Sequence, residues 1–316
     1  MRKIVLFIFL AVTIVFFVCI AVQFRNDMKT AHDRLIAYNS KTLETVFGKM
    51  TYLDEGNGEA ILVSHGIFGG YDQGFASLYQ LVGNDYRKIS ISRFGYPGSE
   101  MPENPTPENQ AAVFLALLDE LGIEKAYILT TSAGGAAGLR FALDYPDRVS
   151  GLILLSSGVP YRPGDAGEIN KPGRSGPPQF IVNDFPMWLC MKYFGFIFDS
   201  MMGSKIEGTT LYETMLPVSP RKQGIAADTE ITNTDMMFHY NEYALEEIAA
   251  PILVVHAKDD PLVRYESIES FLSRVNAQSA IFDTGGHLIT GHGGAVSAAI
   301  RAFIESRGEM NHGGDI

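Results

Sequence analysis

The sequence contains few cysteines and few basic residues, and each shortage narrows the possible functions. It has 2 cysteines among 316 residues, Cys19 in an N-terminal apolar run and Cys190 in a central apolar stretch. We expect no disulfide framework from this pair. The 36 acidic residues outnumber the 25 lysines and arginines and give a net charge of −11. Because phosphate binding needs a basic surface, this balance argues against a nucleic-acid partner.

Metal and cofactor motifs are also missing. The sequence has no HExxH string, no closely spaced cysteine pair and no calcium-type carboxylate loop, which argues against a metal site. It has neither a G-x-G-x-x-G string after its first strand nor a Walker A string, which disfavours nucleotide binding. We therefore expect a protein that acts on a small molecule without a metal or a cofactor.

One long apolar run lies near the N-terminus. Residues 4–22 carry no charge and follow Arg2 and Lys3. A helix of this length spans about 28 Å, close to the hydrocarbon thickness of a bilayer, whereas the apolar region of a secretory signal is usually about 7–15 residues long. The run therefore favours an uncleaved membrane anchor. The alternative is a cleaved signal, with Cys19 and Ala21 at the −3 and −1 positions.

The orientation of this run is not determined by its flanking charges. Arg2 and Lys3 precede it, and Arg25, Lys29 and Arg34 follow it, so the positive-inside rule does not discriminate. From the usual behaviour of N-terminal anchors, we expect a single-pass membrane protein whose remaining domain lies outside the cytoplasm. If the run is a cleaved signal, the protein is secreted.

Strand and helix patterns alternate in the remainder of the chain. Apolar residues on both sides of Gly48 predict a β-hairpin, and six further apolar runs predict strands separated by helical patterns. Such alternation is typical of a mostly parallel sheet with helices on both faces. The six predicted strands cover residues 61–65, 88–92, 126–130, 151–156, 251–256 and 280–283.

The alternation is interrupted over residues 159–250. This segment begins with a Pro/Gly-rich stretch at 160–178 and continues with aromatic residues and methionines. An insertion of this length between two core strands predicts a helical cap over the carboxyl edge of the sheet. Its apolar residues either pack the cap itself or line a pocket for an apolar acyl group, with Trp188 and Phe194 as candidates for substrate contact.

A serine surrounded by small residues follows the third of the six predicted strands. The string TTSAGG occupies residues 130–135, and a helical pattern begins directly after it. A sharp strand-to-helix turn would raise the Ser132 hydroxyl above the sheet, beside the free N–H groups of the helix start. A serine nucleophile also needs a base, a carboxylate that orients the base, and N–H donors for the oxyanion.

Three other strings supply these remaining parts. In HAKDDPLV (256–263), a predicted strand is followed by two adjacent aspartates. GGHLITGH (285–292) places a histidine directly after a predicted strand, and HGIFGG (65–70) predicts a glycine-rich turn. Ligands of open α/β sheets bind beyond the carboxyl ends of the strands, so we expect the three parts to converge there.

With these strings, and with SRFGYPGS (92–99) and DYPDRVSGLILLSS (144–157), the chain resembles the α/β-hydrolase fold family over residues 43–306. The resemblance implies an α/β fold with a mostly parallel eight-stranded sheet, helices on both faces and a helical cap insertion. The implied catalytic residues are Ser132 as nucleophile, Asp260 as acid and His287 as base, and the implied oxyanion donors are the backbone N–H groups of Ile67 and Ala133, with Phe68 as an alternative to Ile67.

Several positions leave alternatives open. The family usually has G-x-S-x-G at the nucleophile, whereas Thr130 takes the first glycine position here, where a side chain crowds the turn. Asp259 competes with Asp260, which we prefer for its spacing from the strand. His292 competes with His287, which we prefer because it follows its strand directly.

Three further histidines are interpreted as structural. We expect His65 to order the oxyanion loop, His256 to pack in the core and His239 to lie on the surface of the cap.

We predict a serine hydrolase that cleaves a carboxylic ester through an acyl-enzyme, with a hydrophobic acyl or ring portion in the substrate. The same fold and triad also serve C–C bond hydrolases, iminopeptidases and cofactor-free peroxidases, and a non-catalytic anchored binding protein is a further alternative. The predicted organisation is an anchor or signal at 1–23, a connector at 24–42, a core at 43–158 and 251–306, a cap at 159–250 and a tail at 307–316.

Overall fold

An eight-stranded sheet forms the centre of the structure, a computed structural model that describes residues 2–162, 175–203, 205 and 210–312. The strand order is β1-β2-β4-β3-β5-β6-β7-β8, with antiparallel pairs at β1/β2 and β2/β4 and parallel pairs elsewhere. This topology confirms the predicted hairpin, the six further strands and the mostly parallel sheet. The strands are β1 Lys41–Thr45, β2 Gly48–Glu55, β3 Ala60–Ser64, β4 Arg87–Ile91, β5 Ala126–Ser132, β6 Val149–Ser157, β7 Ile252–Ala257 and β8 Ala277–Phe282.

Helices cover both faces of the sheet and fill the insertion between β6 and β7. The α-helices of the described residues are α1 Arg2–Ala37, α2 Tyr71–Val82, α3 Pro107–Glu120, α4 Gly135–Asp144, α5 Asp184–Tyr193, α6 Gly195–Met202, α7 Thr210–Met215, α8 Lys222–Ala227, α9 Asn233–Phe238, α10 Tyr265–Arg274 and α11 Gly293–His312. Helix α11 extends into the predicted tail, and residues 313–316 lie outside the described part of the chain.

The strands are apolar throughout because both faces of the sheet are covered. All five residues of β3 are buried, and successive side chains point to opposite faces. Leu62 packs in the core cluster that includes α3, α4 and α10, whereas Ile61 and Val63 pack in the cluster that includes α2 and α11. Each such side chain stabilises the fold by about 1.5–3 kcal/mol relative to its exposed state, so the carboxyl edge of the sheet is a rigid platform.

Helix α1 is continuous from the apolar run to the domain. The first half of the helix is strongly apolar and is not buried by the rest of the protein, so the helix is long and apolar enough to cross a membrane. Its second half is different, since Met28 and Ala31 are buried against the domain. The predicted connector at 24–42 is therefore largely the packed second half of α1.

The insertion between β6 and β7 is helical in the residues that the structure describes. It contains α5 to α9, with one π-helical turn at Asp228–Thr232 between the last two. Most of the predicted Pro/Gly-rich entry at 160–178 lies outside the described residues. Helix α6 packs against the turn that follows β8, so the insertion covers the carboxyl edge of the sheet.

Candidate active site

Ser132 ends strand β5 in a strained turn. Its φ of +49° lies in the left-handed region, which a non-glycine residue adopts only when the surrounding structure holds it there. Gly134 makes the turn possible, because a Cβ at this position would lie 2.1 Å from the Ser64 carbonyl oxygen of the neighbouring strand. The Gly134 N–H also closes the turn by donating to the Thr131 carbonyl at 2.8 Å. The result is a partly exposed serine directly above the sheet.

Thr130 is accommodated beneath this turn. It is fully buried, and its hydroxyl lies 2.8 Å from the Ser157 hydroxyl of strand β6. Its methyl group occupies space left by Gly138 of α4, where an added Cβ would lie 2.1 Å from Thr130 Cγ2. The expected crowding by Thr130 is therefore relieved by a glycine on the following helix, and the turn keeps its shape.

Asp260 and His287 form a hydrogen-bonded pair at the ends of β7 and β8. His287 Nδ1 lies 2.8 Å from Asp260 Oδ2, and the Asp260 side chain is 0% exposed. The other carboxylate oxygen accepts the backbone N–H groups of Leu262 and Val263 at 2.8 and 3.0 Å. An ionised carboxylate can only accept, so Nδ1 carries the proton and Nε2 remains as the basic nitrogen.

The surroundings of Asp260 keep it ionised. Burial by itself raises the pKa of the Asp260 carboxyl, but the His287 ring and the Val263 N–H outweigh burial, and the net result is a pKa below the ordinary aspartate value. A negative charge facing the Nδ1–H of His287 stabilises the imidazolium that forms when Nε2 accepts a proton. This geometry favours Asp260 over Asp259 as the acid.

Asp259 has a different and unpredicted role. Its carboxylate accepts the backbone N–H groups of Gly285 and Gly286, at 3.2 and 2.8 Å. These two glycines have φ values of +130° and +59° and directly precede His287. Asp259 therefore holds the loop that carries His287. The sequence did not indicate this role, because the two glycines are 26 and 27 residues away from Asp259.

We expect the two adjacent aspartates to respond differently to the same isosteric change. Asp260→Asn is expected to lower kcat for a short ester by about 10⁴-fold, because the amide favours the wrong histidine tautomer. Asp259→Asn is expected to cost about tenfold or less, because its amide oxygen still accepts one of the two loop N–H groups and only the second of these hydrogen bonds is lost. Steady-state kinetics of both variants test this, and similar losses in the two would contradict the assignment.

The glycine-rich turn after β3 lies directly against the serine. A Cβ on Gly66 would be 3.0 Å from the Ser132 Cβ. The turn is closed by the Gly69 N–H, which donates to the Gly66 carbonyl at 3.1 Å, and Phe68 has a φ of +60°. Within the described residues, the N–H groups of Ile67, Phe68 and Ala133 have no hydrogen-bond acceptor. Three unpaired donors beside a serine are what an oxyanion site requires.

His65 orders this turn, as expected. Its Nε2 accepts the Arg93 N–H at 3.0 Å and its Nδ1 lies 2.8 Å from the Gly66 carbonyl oxygen. A backbone N–H can only donate and a carbonyl can only accept, which fixes the neutral tautomer with the proton on Nδ1. Burial and the nearby Arg93 charge hold the pKa of His65 well below its usual range, so the ring stays neutral.

Two buried arginines connect this turn to the cap, and the sequence did not indicate either. The Arg93 guanidinium donates to the His65 carbonyl at 3.0 Å and to both carboxylate oxygens of Asp228 at 2.5 and 2.6 Å. Tyr96 also donates to Asp228, at 2.5 Å. Asp228 begins the π-helical turn of the cap, so this bidentate pair fixes the cap to the base of the oxyanion turn.

The second arginine extends the connection to helix α1. Arg221 donates to the Gly69 carbonyl at 2.9 Å and to Asp72 at 2.8 Å, and both side chains are 0% exposed. Asp72 also accepts Arg34 of α1 at 2.7 Å. The Asp72 carboxylate therefore joins helix α1, the first turn of α2 and the cap behind the glycine-rich turn.

The other histidines have structural partners. His256 is buried in β7, with Nε2 2.9 Å from the Val263 carbonyl oxygen and 3.7 Å from Asp260 Oδ2, so it packs behind the Asp260–His287 pair. The exposed His239 pairs with Asp235 on the surface of the cap. The His292 ring lies 4.5 Å from the Phe282 ring, at the start of α11. No group of three or more potential metal-binding side chains occurs among the described residues.

The two cap candidates for substrate contact have different environments. Trp188 is 2% exposed and packs against α1, where its indole N–H donates to Asp27 at 2.8 Å. It therefore holds the cap to the N-terminal helix. Phe194 is 41% exposed and lies between α5 and α6, with its ring 6.3 Å from that of Phe196.

Comparisons with known proteins agree with this fold. A family model described as alpha/beta hydrolase fold matches residues 59–185. A 2-hydroxy-6-oxo-6-phenylhexa-2,4-dienoate hydrolase from Comamonas testosteroni is 35% identical over 34% of this chain and 39% of its own length. A 2-hydroxy-6-oxononadienedioate/2-hydroxy-6-oxononatrienedioate hydrolase from Paraburkholderia phymatum is 26% identical over 76% of this chain and 84% of its own length. The matched region thus covers less than half of the first of these relatives.

Solved structures show the same fold. An alpha/beta hydrolase fold protein from Nakamurella multipartita has a TM-score of 0.64 and 24% identity, covering 84% of this chain and 99% of its own. The carboxylesterase CesB from Bacillus subtilis has a TM-score of 0.64 and 17% identity, covering 90% and 98%. At these identities the likeness establishes the fold alone.

Proposed function

Because this chain belongs to the α/β-hydrolase fold family, we propose that it is a serine hydrolase that cleaves carboxylic esters through an acyl-enzyme. One arrangement supports the proposal above all others. A strained Ser132 lies at the end of β5, beside unpaired N–H donors. The buried Asp260–His287 pair follows β7 and β8, at the same carboxyl edge of the sheet. Each group that acyl transfer needs is present in this set.

The proposed reaction assigns one task to each group. His287 Nε2 accepts the Ser132 proton while Oγ attacks the acyl carbon, and Asp260 stabilises the resulting imidazolium. The N–H groups of Ala133 and Ile67 stabilise the oxyanion, each contributing about 2.7–4 kcal/mol. The imidazolium then protonates the leaving alcohol. Water activated by His287 hydrolyses the acyl-enzyme and restores Ser132.

A C–C bond hydrolase on the same triad is the second candidate. It is favoured by the relatives named as hydrolases of 2-hydroxy-6-oxo-dienoates, which reach 35% and 37% identity over part of the chain. An ester hydrolase with an apolar acyl group is favoured by the apolar cluster of the cap, which includes Phe198 and several methionines and reaches Ile67 and Phe68 of the oxyanion turn. The apolar cluster is our reason for placing the ester first.

The two candidates differ in a direct comparison of substrates. We expect kcat/KM for p-nitrophenyl butyrate to exceed that for 2-hydroxy-6-oxo-6-phenylhexa-2,4-dienoate by about 100-fold or more, since an ester needs no positioned ketone and enol groups. Progress curves at one enzyme concentration measure both. A preference for the dienoate would reject the ester and support C–C hydrolysis.

We also propose that residues 4–22 anchor the protein in a membrane, with the catalytic domain outside the cytoplasm. The apolar half of α1 is exposed along its length, with side chains such as Ile4 and Val22 at 65% and 52% exposure. Such a surface is stable only when lipid or protein covers it. A cleaved signal is the alternative, and it would leave the packed second half of the helix on the domain.

A further inference from the structure

Helix α1 does not leave the domain as a free tether. The Phe24 ring packs edge-on against Phe185 and Trp188 of α5, at centroid distances of 5.2 and 5.3 Å. Asp27 accepts the Trp188 indole N–H at 2.8 Å and pairs with Lys192 at 2.5 Å. With Arg34 bound to Asp72 further along, the helix is fixed to the cap at several points. With residues 4–22 in a bilayer, as proposed above, the position of the bilayer relative to the cap is fixed as well.

The contacts of α1 place helix α5 at the depth of the lipid headgroups. The apolar run ends at Val22, and at 1.5 Å per residue Phe24 and Asp27 lie about 3 and 7.5 Å beyond it. The headgroup region of one leaflet is about 5–7 Å thick. The cap residues that touch Phe24 and Asp27 must share this depth, namely Phe185, Trp188 and Lys192. Tyr193 joins them by donating to Gln23.

The same part of the cap exposes large aromatic side chains. Phe185, Tyr193, Phe194 and Phe196 are 43%, 45%, 41% and 68% exposed, and we call them the interfacial face. Aromatic rings are favoured at the level of the headgroups, and a lysine such as Lys192 can extend its amine to water or phosphate. Four exposed rings within residues 185–196 are unfavourable in water and favourable in this layer.

The interfacial face is also next to the catalytic loops. Helix α6, which carries Phe196, packs against the turn that contains His287. At its end, a Cβ on Gly203 would lie 2.8 Å from Pro261 Cδ and 3.1 Å from the Asp259 carbonyl oxygen. One apolar cluster extends from Ile20 and Phe24 of α1, through α5 and α6, to Ile67 and Phe68 of the oxyanion turn.

We infer that the interfacial face is inserted into the lipid interface and that substrate reaches Ser132 from the bilayer along the α5–α6 side of the cap. The substrate class is then a membrane-dissolved amphiphile, with an acyl chain that stays in lipid and an ester near the headgroup level. The access route rests on the proposed ester hydrolysis, and the insertion of the face rests on the proposed membrane anchor together with the contacts of α1.

The insertion is tested without any activity measurement. The chain has a single tryptophan, Trp188, so Phe196→Trp in a Trp188→Phe background gives one fluorophore at the face. The matched control is Phe238→Trp in the same background, because Phe238 is 54% exposed on α9. In full-length protein reconstituted in phosphatidylcholine vesicles, brominated acyl chains are expected to quench most of the emission at 196 and little at 238. Equal quenching at both positions would overturn the inference.

The access route is tested by chain-length selectivity in the same vesicles. Phe196→Asp is expected to lower the ratio of kcat/KM for p-nitrophenyl palmitate to that for p-nitrophenyl butyrate by about tenfold, because a charge replaces a ring in the lipid interface. Phe196→Trp, which keeps an aromatic ring at this position, and Phe238→Asp, which places the charge on α9, are both expected to keep the wild-type ratio. An unchanged ratio in Phe196→Asp would overturn entry from lipid. Absence of all ester hydrolysis would overturn the proposed function and this access route, and the quenching result would still decide on the insertion.

Discussion

Replacement of Ser132 with alanine is expected to lower kcat for p-nitrophenyl butyrate by about 10⁴- to 10⁶-fold, because the three catalytic groups act as a unit and the loss of one removes the covalent route. His287→Ala is expected to give a loss of similar size, and the double variant little more than either. The remaining rate would come from the oxyanion donors and from binding alone. Steady-state or single-turnover kinetics of the full chain in detergent measure all three.

The control for this series is another serine-to-alanine change. Ser306→Ala alters an exposed position on α11 and is expected to keep the wild-type rate. A small side-chain truncation at Ser132 should also leave the melting temperature close to that of the wild type. If Ser132→Ala kept most of the ester activity, the covalent mechanism would be wrong, and the strained turn at β5 would need another explanation.

Loss of the Asp72 charge is expected to have the largest effect on stability. Asp72→Asn leaves Arg221 buried at 0% exposure with carbonyl partners but without its counter-charge, and it removes the main partner of Arg34. Breaking a buried pair in this way costs about 3–5 kcal/mol, because an uncompensated charge remains in the interior. Urea unfolding of the full chain in mild detergent, followed by Trp188 fluorescence, measures the change and reports on the cap directly.

The same substitution at a surface pair provides the comparison. Asp85 pairs with Arg301 at 3.0 Å and its side chain is 68% exposed, so Asp85→Asn is expected to change the free energy of unfolding by about 0.5 kcal/mol or less. If Asp72→Asn were no more destabilising than Asp85→Asn, the buried connection between α1, α2 and the cap would not contribute to the fold as described.

The strands and the turn at Ser132 were predictable because their signals are local. Apolar runs, glycines and a serine among small residues specify strand, turn and helix start over about ten consecutive residues. The places of Asp260 and His287 could also be predicted, since they lie in the turns after β7 and β8, which end at Ala257 and Phe282. The eight-stranded sheet with its antiparallel first strands then follows from the alternation and the hairpin.

The supports of the site were not predictable, because each joins residues far apart in sequence. Arg93 reaches Asp228 across 135 positions, and Arg221 reaches Asp72 across 149. A charged residue in a sequence is more often solvated, so nothing local distinguishes these four from surface charges. The same reason explains why Trp188 was a candidate for substrate contact, since its partner Asp27 lies 161 positions away.

The packed half of α1 changes the view of the N-terminus in a similar way. Residues 24–42 read as a polar connector, yet Met28 and Ala31 are buried and Arg34 binds Asp72. The cap residues that contact this helix are far away in sequence, so the local pattern of apolar residues does not indicate the packing. The apolar run in the first half of the same helix obscures the pattern further. Helix α1 and the α/β domain are consequently one structural unit in the described residues.

Covalent labelling by a fluorophosphonate tests the central claim most directly. The reagent reacts with a serine only when a base and an oxyanion site activate it. We predict one adduct per wild-type chain, located by peptide mass spectrometry on the segment that contains Ser132 and absent from Ser132→Ala. An unlabelled wild-type protein, or equal labelling of Ser132→Ala, would contradict the assignment of Ser132 as the nucleophile.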